Sequence, residues 1–130
     1  RIVWAHNPCY STGQHEVDGA YPDFRALLDK YHVDLYFSGH DHTYERTHLM
    51  REGKVVGSSR SFDLSRNPGT VYVVTGGAGA PLYTFQAAKT WSACRLSAYN
   101  YCSVKTSDSK LVFKAMDIQG GVIDEFVMTK

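Results

Sequence analysis

His40 and His42 stand one residue apart in the stretch Leu35-Tyr-Phe-Ser-Gly-His-Asp-His-Thr-Tyr-Glu-Arg46, just after an apolar run from Val33 to Phe37. Side chains of an extended backbone alternate with a period of two, so these imidazoles fall on the same side of the chain. Imidazole and carboxylate ligands suit divalent and trivalent transition metals, and Gly39 offers a tight turn immediately before them. A His-x-His pair alone is a weak signal, because surface histidines fall at this spacing by chance. A third histidine strengthens it. Ile2 to Trp4 is a second strand-like run, and His6 sits where it ends, with Asn7-Pro8 breaking regular structure. A helix-like segment joins the two runs, so the strands are expected to be parallel neighbours. Ligands gather at the carboxyl ends of such strands. His6, His40 and His42 are therefore expected to converge.

The elements that must position them can be read in order. Asn7 to Gly19 reads as a polar loop containing His15, with Glu16 and Asp18 as ordinary solvated acids. Tyr21 to Tyr31 reads as an amphipathic helix: Pro22 suits its first turn, Asp23 its positive end, and Phe24, Leu27, Leu28 and Tyr31 recur at helical spacing. His32 ends that helix, where it complements the dipole. Met50 to Val56 reads as a hairpin around Gly53, and Gly57 to Pro68 as a surface loop carrying Arg60 and Arg66. Thr70 to Thr75 is a buried strand. The glycines of Gly76-Gly-Ala-Gly-Ala-Pro81 lack the Lys-Ser/Thr of a nucleotide loop, and close backbone packing explains them better. Trp91 is expected to anchor a loop to the core. Tyr99–Val104, Leu111–Asp117 and Val122–Met128 alternate as antiparallel strands do.

Val3-Trp-Ala-His6 resembles the Val-x-x-His motif of the dinuclear metallophosphoesterases, the calcineurin-like superfamily. Gly39-His-Asp-His42 resembles their Gly-His-x-His motif, and Tyr44-Glu45-Arg46 the extension typical of the purple acid phosphatases. Gly69 to Gly79 is similar to the family's following strand and glycine turn, and Tyr99 to Met128, more loosely, to its closing strands. The resemblance implies an α/β fold: the C-terminal half of an α/β/β/α sandwich, with a mixed sheet and antiparallel C-terminal strands. It implies that His6 and His40 bind a divalent metal and His42 a second one, often iron, paired with zinc, manganese or iron in the complete enzyme. His15 matches a histidine that gives a proton to the leaving group or contacts the phosphate. Tyr44, Glu45 and Arg46 either face substrate or hold the turn through ion pairs and hydrogen bonds.

The family's Asp-x-Gly, Gly-Asp-x-x-Tyr or Gly-Asp-x-x-Asp, and Gly-Asn-His motifs, which supply carboxylate and asparagine ligands, do not occur in this chain. One metal or none is therefore expected in it alone, with the missing N-terminal half of the same enzyme as a partner. The expected activity of that longer enzyme is hydrolysis of a phosphate ester of the acid phosphatase type. A phosphodiesterase or nucleotide pyrophosphatase of the same fold and a non-catalytic metal-binding fragment are the alternatives. By resemblance the compartment is secreted, periplasmic or lysosomal.

Composition sets outer bounds. The 130 residues make one unit at most, divisible into a histidine-motif segment (1–68) and a stretch of closing strands (69–130). Fourteen Lys and Arg against thirteen Asp and Glu leave a formal charge of +1, which favours neither nucleic acid nor a membrane surface as partner. Nine Tyr, six Phe and two Trp suit a strand-rich core. Cys9, Cys94 and Cys102 lack zinc-ribbon spacing. Cys94 and Cys102 are either a disulfide or two buried thiols, and Cys9 is structural.

Overall fold

The computed structural model describes residues 1–130. In chain order its strands are β1 (Ile2–Trp4), β2 (Tyr10–Ser11), β3 (Val17–Asp18), β4 (Leu35–Ser38), β5 (Tyr44–Thr47), β6 (Leu49–Arg51), β7 (Lys54–Gly57), β8 (Ser61–Asp63), β9 (Val71–Thr75), β10 (Ser92–Leu96), β11 (Asn100–Thr106), β12 (Lys110–Asp117) and β13 (Val122–Thr129); the helix α1 spans Pro22–Lys30. A five-stranded sheet runs in the order β1-β4-β9-β5-β10, and a four-stranded one in the order β11-β12-β13-β8. The first sheet is parallel across β1, β4 and β9 and antiparallel beyond. It is thus mixed, and the closing strands β11 to β13 are antiparallel.

Three layers result. The core between the sheets joins Leu35, Tyr44, Val71 and Val73 to Phe113, Ala115, Phe126 and Met128. The opposite face of the first sheet packs Tyr36 and Tyr72 under Leu28 of α1 and under Cys9, Tyr10 and Trp91. Covered on both faces, β4, β5 and β9 read as continuous buried runs. The outer face of the second sheet carries no helix. The architecture is the α/β sandwich expected, with one helical layer present.

Several expectations need correction. In α1 only Phe24 and Leu28 turn inward, whereas Leu27 and Tyr31 are about half exposed. Nine residues give too few turns for the wider stripe to meet the sheet. Tyr21 enters the helix with a left-handed backbone and His32 leaves it the same way, so His32 fills the position beyond the cap that glycine usually takes. The stretch 7–19 is not a solvated loop. Residues 8 to 13 are buried, β2 pairs with β3, and Arg25 donates to Tyr10 Oη and to the carbonyls of Gly19 and Ala20. Glu16 and Asp18 both pair with Lys89, and Asp18 accepts the Trp91 indole N–H at 2.7 Å. Within 57–68, β8 adds in parallel to β13 and buries Phe62 and Leu64. β8 thereby joins the second sheet, while β9 and β10 complete the first.

Candidate metal centre

β1, β4 and β9 run parallel, so their carboxyl ends lie along one edge, and each is followed there by His6, Gly39-His40 or Gly76. His6 Nε2 and His40 Nδ1 approach to 3.2 Å, with their rings edge to face. Two imidazole nitrogens at about 2.0–2.1 Å from one tetrahedral ion would lie about 3.3 Å apart. The observed separation fits two ligand positions of a single ion. His15, from the loop after β2, brings its ring within 4.3 Å of the His40 ring.

His42 meets Tyr83, whose ring also touches His15. His42 Nδ1 donates to the Pro81 carbonyl at 2.8 Å, and its ring stacks on Tyr83 at 4.1 Å. That bond leaves Nε2 with its lone pair, the tautomer a ligating histidine needs. No three His, Cys, Asp or Glu side chains converge closely enough to make a complete site within the chain. The structure therefore joins His6 to His40 and His40 to His15, and Tyr83 links His15 to His42, which also bonds Pro81. The residues present fit a histidine pair of a metal site, and they supply no carboxylate to it.

The turn is held in an unexpected way. The left-handed residue is His40 itself (φ 65°), and Gly39 has open space where a Cβ would stand. A left-handed conformation at a non-glycine residue costs about 1–2 kcal/mol and persists only where its surroundings impose it. Here they do. Gly76 lies so close under the turn that a Cβ on it would sit 2.1 Å from the Asp41 carbonyl oxygen, and Gly76 N–H donates to the Thr43 carbonyl.

Tyr44, Glu45 and Arg46 are buried on β5 and point alternately to its two faces. Tyr44 Oη donates to Asp124 at 2.9 Å, and Arg46 Nε to the same carboxylate at 2.5 Å. Burial lowers the Arg46 pKa, but the bond to Asp124 and its charge outweigh that and raise it. Burial, with Asp124 second, pushes the Tyr44 phenol far above its usual range. On the other face Glu45 accepts from the Thr12 backbone N–H and hydroxyl at 2.6 and 2.7 Å and from Ser92 Oγ at 2.6 Å.

Asp41, the residue between the two histidines, has no role in the sequence reading. It is fully buried and accepts from Ser11 Oγ at 2.5 Å, His15 N–H at 3.1 Å and His15 Nδ1 at 2.7 Å. The backbone from Gly39 to Thr43 is a turn and not extended, so the one signal that marks Asp41 is an acid standing between two candidate ligands. Pro81 and Tyr83 carry no such mark, because their contacts depend on the path of an irregular loop. Cys9, Cys94 and Cys102 are free thiols, and burial pushes Cys9 up to about 11, leaving no thiolate near neutral pH.

These features are those of a metallophosphoesterase sandwich. The chain is 33% identical over 103 residues to an Arabidopsis thaliana protein named "Probable inactive purple acid phosphatase 27", covering 78% of this chain and 17% of that one. It is 30% identical over 118 residues to human acid phosphatase type 7, covering 77% and 26%. With a nucleotide pyrophosphatase/phosphodiesterase of Hordeum vulgare it shares 29% over 131 residues, covering 98% and 36%. The solved purple acid phosphatase PPD1 from yellow lupin (Lupinus luteus) seeds superposes with a TM-score of 0.89 at 27% identity, over 98% of this chain and 24% of that one. No family model matches. The chain is purple acid phosphatase-like, and it matches the C-terminal part of that catalytic domain. It spans between 17 and 36% of the length of these curated relatives.

Proposed function

We propose that this chain forms the histidine side of a dinuclear metal centre in a longer phosphomonoesterase of the acid phosphatase type. The observation that carries the reading is the 3.2 Å approach of His6 and His40 at the ends of two adjacent parallel strands. In the proposal His6 and His40 hold one ion, and His42 turns its free Nε2 toward a second. The missing ligands come from the N-terminal half of the same enzyme. Bound metal would supply Lewis acidity toward phosphate oxygens and a nucleophilic water near neutral pH. His15, beside His40 and open to solvent, would orient the phosphate and protonate the departing alcohol. Tyr44, Glu45 and Arg46 hold the turn from below and touch no substrate.

Two other readings have support of their own. The barley relative aligns over nearly the whole chain, which favours a phosphodiesterase or pyrophosphatase. The Arabidopsis relatives are named as inactive, which favours a binding role without turnover. The substrate in the first two readings is a phosphate ester, with neither nucleic acid nor membrane as partner; no helix here is long and apolar enough to cross a membrane. A secreted, periplasmic or lysosomal setting goes with the acid phosphatase reading. The test is a substrate panel on the natural polypeptide that contains this segment. Turnover of p-nitrophenyl phosphate well above that of bis(p-nitrophenyl) phosphate and nucleoside diphosphates supports the monoesterase. The reverse order supports the diesterase, and no metal-dependent turnover supports the binding role.

A further inference from the structure

Asp41 is the only carboxylate that touches the histidine cluster, and it lies beneath the histidines instead of among them. Its side chain is fully buried, and three donors from β2 and the loop after it meet it: Ser11 Oγ–H, the His15 backbone N–H and the His15 ring at Nδ1. No arginine or lysine pairs with it; the arginine of this turn, Arg46, is spent on Asp124 across the sheet. Gly13 completes the cradle. A Cβ there would stand 2.6 Å from the Asp41 carboxyl carbon, so the loop can close over the acid only with glycine at that position.

We infer that Asp41 is a positioning residue for His15: it fixes the imidazole as the Nδ1–H tautomer and presents Nε2 to the face shared with His40. Asp41 Oδ1 already accepts from the His15 backbone N–H at 3.1 Å, so the ring nitrogen 2.7 Å from the same acceptor oxygen carries the proton. The backbone bond from His15 to the same oxygen, Asp41 Oδ1, fixes where the ring starts, and the ring bond fixes its rotation. Tyr83 bounds the ring on a further side, edge to face at 5.6 Å. The residue between the two proposed ligands thus sets the geometry of the proposed proton donor. This inference rests on the phosphoester hydrolase reading for what His15 does, and on the contacts above for how it is held.

The tautomer can be read without metal, substrate or turnover. Long-range 1H–15N correlation of the His15 ring, at about pH 8 where histidine is ordinarily neutral, is expected to show Nδ1–H in the native chain. Asp41→Ala removes the oxygen that accepts from both the His15 backbone N–H and Nδ1, and is expected to release the ring and move His15 toward the Nε2–H form. Ser11→Ala removes a neighbour of the carboxylate and leaves the ring bond, so it is expected to leave the tautomer unchanged. A native His15 that is mostly Nε2–H overturns the inference, and so does an identical response to both substitutions. In the longer enzyme, Asp41→Ala is expected to slow an alkyl phosphate at least about tenfold more than p-nitrophenyl phosphate, whose leaving group needs no proton. Equal losses on both substrates would also overturn it. A fixed tautomer in a protein without hydrolytic activity would defeat the hydrolase reading and leave the positioning intact.

Discussion

Asp41 and Asp124 are equally buried and serve different ends. Asp124 lies between the two sheets, where it takes two bonds from Arg46 and one from Tyr44; charge meets charge, and no part of the cluster reaches the histidine edge. Asp41 lies at that edge and is met by a hydroxyl, a backbone N–H and an imidazole. The first arrangement locks β5 to β13 and has no remaining chemistry. The second ends in a side chain that is 40% exposed beside His6 and His40. A buried acid paired with arginine marks structure here, and one met by a half-exposed histidine marks the site.

The contrast predicts unequal costs. Arg46→Ala strands Asp124 between the sheets, and removing one partner of a buried pair costs about 3–5 kcal/mol. In a domain whose total stability is of the order of 5–15 kcal/mol, this is the largest effect expected, read as a lowered urea midpoint. Asp41→Asn keeps the volume and part of the bonding, and is expected to cost about 1–3 kcal/mol with the fold retained. Equal costs would remove the distinction.

A smaller effect tests the strained turn. His40→Gly relieves the left-handed residue, whereas His40→Ala keeps the strain, so the glycine variant is expected to be more stable by about 1 kcal/mol. Alanine as stable as glycine would mean that the turn relaxes.

The smallest effect is a pH slope. Burial raises the Cys9 thiol from 9.0 to about 11, and Cys102 likewise to about 11. Between these values the folded state holds protons that the unfolded state has lost, so stability present below pH 9 falls as the pH rises toward 11. Cys9→Ala and Cys102→Ala are each expected to flatten that fall in urea titrations.

What could be read from the sequence follows from range. β1, α1 and β4 are local patterns with clear periods, and the parallel pairing of β1 with β4 across that helix places His6 beside His40. The closing strands alternate and pair with sequence neighbours, so they too were legible. Residues 7 to 19 look polar because Ser11, Thr12 and Gly13 are polar or small, but they are buried against Glu45 and Asp41, acids some thirty residues away. β8 was hidden because three residues inside a serine-rich stretch become a strand only by pairing with β13.

The most direct test of the central claim is zinc binding by the 130-residue chain, followed at the histidine rings by NMR. The account predicts that zinc perturbs His6 and His40 together, and that His6→Ala or His40→Ala abolishes the response while His32→Ala, beyond the end of α1, leaves it. Perturbation of neither ring, or of one without the other, would contradict the claim that this edge holds a paired metal-binding site.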